Sequence, residues 1–321
     1  MSKKTYISLV GVFCLFLLAS CAAEKLGNSE KTVNIFDDPD FSLGFIIYPT
    51  LHSEGAKEIG RLKFDPEPAN PVWHLAQWSS RYDISLAKGE ADEAKESYKY
   101  ANEGKVVAKE YVDGEALLTL KVIGEMEYKD GTRKNGEAWP HLLIEQVMGD
   151  PQNVDSFSEL MLNLDVRIND FEYLMTSDFD ANLHAAQTTA YFGISNQNKE
   201  SEGYSDFFWF GIPIFDSRFE YPPGGVIKDA GQPGASGALI YTPPGKEFLT
   251  KNMLDGEWET IHVDLIPYIQ RAVEEGKQKG YLPKTSFEDL KITSFNLGWE
   301  LPGTYNASLQ IKNLELIGRI K

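Results

Sequence analysis

The segment Trp139-Pro140-His141-Leu142-Leu143-Ile144-Glu145-Gln146 sets an imidazole and a carboxylate four residues apart in a run of strand length. In an extended chain alternate residues share a face, so Trp139, His141, Leu143 and Glu145 project together, and a His–Glu couple on one face can do acid–base work. A packed tryptophan beside a hydrogen-bonded structural histidine is the plainer reading of the same residues. His184 stands near the start of a second segment, Leu183-His184-Ala185-Ala186-Gln187-Thr188-Thr189, where small neighbours leave room for a ligand beside Gln187. Small residues also mark places where two sheets approach closely, so His184 joins a site only if it lies near His141. As an enzyme, the protein would use His141 or His184 as base and Glu145 as acid.

Between Tyr204 and Arg218 the chain is apolar on both faces through its middle, as in a central strand, with Trp209 inside it and Asp216 and Arg218 two apart at its end. The bidentate fork of Arg218 suits the carboxylate of an acidic sugar, and it equally suits a structural tie to Asp216. From Ile292 to Gly303, Ser294, Asn296 and Glu300 share a face. The Trp299–Glu300 pair at the mouth of a turn could stack a pyranose and accept its hydroxyls, or cap a sandwich core. The candidate ligand-binding residues are therefore Gln187, Trp209, Asp216, Arg218, Trp299 and Glu300.

These residues need elements to hold them, and the elements read as strands. Gly, Pro, Asn and Asp punctuate apolar segments of strand length at Leu117–Tyr128, Pro140–Val147, Glu159–Ile168, Thr188–Ser195, Phe207–Phe215, Ala238–Tyr241, Thr260–Leu265, Ile292–Trp299 and Ala307–Leu316. In the third of these, Leu160, Leu162, Leu164, Val166 and Ile168 point one way, while Met161, Asn163, Asp165 and Arg167 point the other. One short helix is expected over 267–278, opened by Pro267 and closed at Gly276 or Gly280. Asp92 to Lys99 reads as a solvated excursion between strands. Many strands without βαβ alternation predict an all-β fold, a two-sheet antiparallel sandwich of the jelly-roll kind, formed by a single domain over 41–321.

The formal net charge of −17 opposes a polyphosphate partner, and no basic stripe offsets it, so nucleic acid is not expected. Phosphate-cradling, nucleophile-elbow and zinc-helix motifs are absent from the sequence, and five scattered histidines make no metal site. Asp- and Asn-rich loops allow a structural calcium with no ligand that can be named. The two cysteines, Cys14 and Cys21, both lie near the N-terminus. There Lys3 and Lys4 precede an uncharged, mostly apolar run from Ile7 to Leu18, too short for an ordinary membrane span.

That run ends in Leu18-Ala19-Ser20-Cys21, which resembles the bacterial lipobox. The resemblance implies a signal peptide over 1–20, acylation of Cys21 (diacylglycerol, palmitate), and a membrane partner through the lipid anchor. With Ala22 after the cysteine, it implies an extracytoplasmic lipoprotein placed at the outer membrane of a Gram-negative cell, periplasmic or surface-exposed. Residues 21–40 are polar and acidic, as a flexible tether would be.

The strand rhythm, the Trp-rich turns, the Trp258-Glu259-Thr260 to Asp264 strand before a short helix and the closing Asn313-Leu314-Glu315-Leu316 resemble concanavalin-like, carbohydrate-associated sandwiches. The chain lacks the Arg-x-Glu-x-Arg strand of alginate-type lyases and the Glu-x-Asp-x-x-Glu strand of glycoside hydrolases with that fold. The resemblance implies a protein that binds poly- or oligosaccharide. The alternatives are a polysaccharide lyase or glycoside hydrolase acting on an acidic polysaccharide, and a non-catalytic structural envelope lipoprotein.

Overall fold

The computed structural model describes residues 31–64, 70–92, 94, 96–230 and 235–321. The signal segment, Cys21 and the first part of the expected tether lie outside the described residues. In chain order the strands are β1 (Thr32–Asn34), β2 (Phe45–Ile47), β3 (Gly60–Leu62), β4 (Trp73–Ala76), β5 (Gly89–Asp92), β6 (Ser97–Ala101), β7 (Lys105–Val112), β8 (Glu115–Ile123), β9 (His141–Val147), β10 (Phe157–Tyr173), β11 (Gln187–Asn196), β12 (Phe207–Asp216), β13 (Gly225–Lys228), β14 (Leu239–Thr242), β15 (Glu259–Asp264), β16 (Leu290–Glu300) and β17 (Tyr305–Ile320). A one-turn helix α1 (Gly124–Glu127) follows β8, and α2 (Ile266–Gln278) follows β15.

The strands form two sheets. An eight-stranded sheet runs β15-β10-β17-β8-β7-β6-β5 with β1 paired to β17, and a nine-stranded sheet runs β13-β14-β12-β11-β16-β9-β4-β2-β3. Pairing is antiparallel except for β12 with β14 and β2 with β4. The fold is thus the expected two-sheet sandwich, with two parallel pairings added. Its core is one continuous apolar cluster, in which Leu160, Leu162, Leu164 and Val166 of β10 join Phe208 and Phe210 of β12 and Phe295 and Leu297 of β16. Trp299 spans the layers, donating its indole N–H to the Leu120 carbonyl of β8 at 3.1 Å.

The alternation in β10 survives as expected, but its polar face belongs to the eight-stranded sheet and is spent on cross-strand ties. Asp165 accepts from Thr260 Oγ1 at 2.5 Å and from Asn313 Nδ2 at 2.8 Å, and Arg167 donates to Gln310 Oε1 at 2.7 Å. In α2, Ile269, Ala272, Val273 and Gly276 fall on the one buried stripe that helical spacing allows.

Three expectations need correction. The strand expected over Leu117–Tyr128 stops at Ile123, where the chain turns into α1. The excursion expected over Asp92 to Lys99 is shorter than its bounds, since Asp92 ends β5 and Ser97 to Lys99 open β6, the two strands pairing antiparallel as a hairpin. The tether gives way to folded chain before residue 40, because β1 pairs with Ile317–Arg319 and Phe36 is buried in the core. Among the described residues no helix is long and apolar enough to cross a membrane.

Candidate active site

One face of the nine-stranded sheet packs on the core; the other lines an open cleft of about 320 Å³. Strand parity decides which side chains reach it. On β9, Leu142 and Ile144 are fully buried in the core, so His141, Leu143 and Glu145 line the cleft. On β16, Phe295, Leu297 and Trp299 point into the core, which leaves Asn296 and Glu300 on the cleft side. Gln187, Thr189 and Tyr191 of β11 and Trp209 of β12 continue the lining.

The register places Glu300 directly across from His141, and Asn296 across from Glu145. His141 Nε2 stands 3.5 Å from Glu300 Oε2, and the Trp139 indole N–H donates to the same oxygen at 3.2 Å. Among the described residues His141 Nδ1 is buried without a hydrogen-bond partner, so Nε2 is the nitrogen that turns toward the carboxylate. The Trp139 ring stacks on His141 with centroids 6.0 Å apart, and Trp78 stacks on His52 at 4.5 Å.

The two carboxylates sit in opposed environments. Burial lifts the Glu145 carboxyl to about 7, against the weaker pull of the His141 charge and a Trp78 hydrogen bond. Burial also acts on Glu300, but the hydrogen bond and charge of His141 and the Trp139 hydrogen bond outweigh it and hold Glu300 below its ordinary value. Burial first, then the Glu300 charge, raises the neighbouring Tyr191 hydroxyl far above its ordinary value. Near neutral pH the cleft therefore offers one carboxyl that can give a proton and one that is ionised, the pairing used for acid–base work on one bond.

The cleft brings together His141, Glu145, Gln187, Trp209 and Glu300. Four other residues named from the sequence lie elsewhere. His184 is 2% exposed, and both ring nitrogens are committed to backbone: Nδ1 accepts from the Asp180 N–H at 2.9 Å and Nε2 contacts the Arg133 carbonyl at 2.8 Å. Trp299 cannot act as a sugar platform, because it shares with Phe295 and Leu297 the side of β16 that faces the core and is 0% exposed. Arg218 donates from Nε to Asp216 Oδ1 at 2.8 Å, from Nη2 to Oδ2 at 2.5 Å and from Nη1 to the Ala181 carbonyl at 3.0 Å. That bidentate pair is a strand-end tie, which Gln187 joins through Asp216 Oδ2 at 2.9 Å.

Several lining residues were outside the sequence reading. Trp78 and His52 come from the irregular chain that follows β4 and β2, whose pairing is parallel and non-local, so no periodicity announces them. Gln77 anchors this corner: its amide donates to the Tyr48 carbonyl at 3.0 Å and Asp83 at 2.7 Å, and its oxygen accepts from buried Lys105 at 3.2 Å. Glu127, buried beside it, accepts from Ser80 Oγ at 2.5 Å and the Arg81 N–H at 2.8 Å, so it is structural. Tyr191 was recoverable, since it shares strand parity with Gln187, and Asn296 lies on the face already read for Glu300.

Among the described residues no group of three or more His, Cys, Asp or Glu converges as a metal site. Two of the loop aspartates serve as turn caps: Asp38 accepts the N–H groups of Ser42 and Leu43 at 2.8 and 3.0 Å, and Asp83 that of Ser85 at 2.8 Å.

No family model and no curated protein sequence matches the chain. Among solved structures it is similar to the endoglucanase cel12A from Rhodothermus marinus, with 13% identity, 72% of this chain and 95% of that one covered, and a TM-score of 0.36. A family 12 xyloglucanase from Bacillus licheniformis shares 11% identity over 72% of this chain and 96% of its own, with a TM-score of 0.37. Endoglucanase 3 of Trichoderma harzianum, from family GH12, shares 9% identity over 78% and 98%, with a TM-score of 0.32. At these values the likeness is one of sheet arrangement, and the chemistry of the cleft rests on its own residues.

Proposed function

We propose that the cleft binds a neutral polysaccharide and hydrolyses it, with Glu145 as general acid and Glu300 as general base, on a protein anchored outside the cell membrane through Cys21. The opposed environments of the two carboxyls, on one aromatic-lined sheet face, carry this reading. Glu145 would protonate the leaving oxygen as the glycosidic C–O bond breaks, while Glu300 takes a proton from the water that attacks the anomeric carbon. Their Cα atoms are separated by four strand residues, roughly 13 Å at about 3.3 Å per residue, so the two side chains would have to converge on a sugar between them to reach the carboxyl spacing of about 6.5–9.5 Å that inverting hydrolysis uses. A neutral substrate fits because Arg218 is spent on Asp216 and, among the described residues, Lys228 is the one lysine or arginine of the lining.

The same wide spacing favours a second reading, a cleft that captures glycan without cleaving it. Incubating the protein with neutral and acidic polysaccharides, while following electrophoretic retardation and new reducing ends, separates the two. Hydrolysis predicts reducing ends from neutral glycans only, and a loss of about 10²–10⁴-fold in rate in E145Q and E300Q with binding retained. Activity should fall as pH rises through about 7, where Glu145 loses its proton. Retardation without products would establish the binding reading, and neither signal would move an envelope-structural role to the front. The anchor is tested separately: C21A should abolish incorporation of labelled palmitate.

A further inference from the structure

We propose that Trp139 is a positioning residue for Glu300 and His141, and that His184, outside the cleft, acts on the site by fixing the turn that carries Trp139. The inference rests on Glu300 being the ionised carboxylate of the site, and it assigns a role to the one sequence motif, Leu183 to Thr189, whose histidine the cleft does not use.

Trp139 enters β9 from the turn 133–139. One edge of its indole holds Glu300 through the N–H bond of 3.2 Å, and one face covers His141. The Arg133 guanidinium lies 4.6 Å from the centroid of the same ring. Arg133 is only 7% exposed, and a buried cation must be compensated. Its Nε donates to the Glu137 carbonyl and its Nη1 to the Leu183 carbonyl, both at 2.8 Å, so the guanidinium staples the two ends of the turn to the segment before His184.

His184 closes the chain of contacts. Because Nδ1 accepts the Asp180 N–H, the ring proton sits on Nε2 and is donated to the Arg133 carbonyl. The exposed residues 134–137 contribute little apolar burial of their own, so the turn is held by these bonds. His184 therefore fixes Arg133, Arg133 fixes the Trp139 ring, and Trp139 fixes the Glu300 carboxylate against His141.

The test follows the Glu300 carboxyl resonance across pH in the full chain held in detergent, ¹³C-labelled at glutamate side chains and assigned with E300Q. This readout does not use turnover, so a protein that binds glycan without cleaving it still reports on the positioning. W139F keeps a stacking ring and loses the N–H donor; its Glu300 midpoint should rise by about 0.5–1 pH unit. H184Q should move the midpoint in the same direction by a smaller amount, and R133K, which keeps the charge but not the fork, should do likewise and serves if H184Q does not fold. An unchanged midpoint in W139F would overturn the proposal. A lowered melting temperature in H184Q and R133K with Glu300 titrating as in the parent would overturn the part assigned to His184.

Discussion

Glu145 and Glu300 are the same residue type on neighbouring strands, and what each touches separates them. Glu145 is hemmed in by Trp78 and Leu143 on the cleft floor, whereas Glu300 has His141 and the Trp139 N–H beside it. The Glu145 carboxyl is raised in the folded state, so its stabilising contribution is complete below the unfolded value near 4.5 and is lost as pH rises through about 7. A rise from 4.5 to about 7 sets the loss at no more than about 3 kcal/mol. Thermal melts of E145Q should lack that decline between pH 5 and 8; a parent-like decline in E145Q would place the titrating group elsewhere. At this scale the sequence was informative where parity decides. His141 and Glu145 could be read onto one face, and so could Asn296 and Glu300. The Trp299–Glu300 pair could not be divided from its residue types alone, because either parity was compatible with a turn, and only the core contacts of Phe295 and Leu297 show which of the two faces the cleft.

Long strands with one apolar face were legible because each repeats its pattern over several residues. β10, β16 and β17 are of this kind. β2, β3 and β4 are three or four residues long and pair partly in parallel, so neither period nor turn chemistry reveals that they complete the cleft wall. The junction of β9 with β16 shows how an element positions a catalytic candidate. Gly298 lies opposite Leu143, two residues before Glu300, with φ at +154°, and a Cβ there would stand 2.1 Å from the Leu142 carbonyl oxygen. That approach is backbone against backbone, so no rotamer can relieve it, and β9 and β16 must separate to admit a side chain. G298A is expected to destabilise the fold by about 2–4 kcal/mol and to weaken glycan binding by displacing Glu300 from His141. G149A, where a Cβ meets nothing within 4 Å, is the control and should melt like the parent. Equal melting of the two variants would show that the strand spacing tolerates a methyl and that Gly298 does not set the register.

At the scale of the molecule, the sandwich is closed by the segment that arrives from the N-terminal side. β1 adds to the eight-stranded sheet at β17, and three residues later the chain grips the other sheet, where Asp37 and Gln146 of β9 exchange N–H and amide hydrogen bonds of 2.9 Å each. Between these ties Phe36 enters the core, 4.7 Å from Phe295 and 5.7 Å from Trp73 between ring centroids. The polarity of 21–40 concealed this, because a tether and a closing strand differ by only a few apolar residues, here Val33, Ile35 and Phe36. The segment therefore couples β1 to β16, whose next residue after Phe295 is the cleft-lining Asn296. Two soluble bodies test this, one starting at Lys31 and one at Asp38. The shorter loses β1, the Gln146 pair and Phe36, and a buried aromatic alone is worth about 3–5 kcal/mol, so it should melt markedly lower and bind glycan more weakly. F36A in the longer body should reproduce most of the loss. If both bodies melt together, the two sheets close without the entering strand, and the coupling between β1 and the cleft floor is absent.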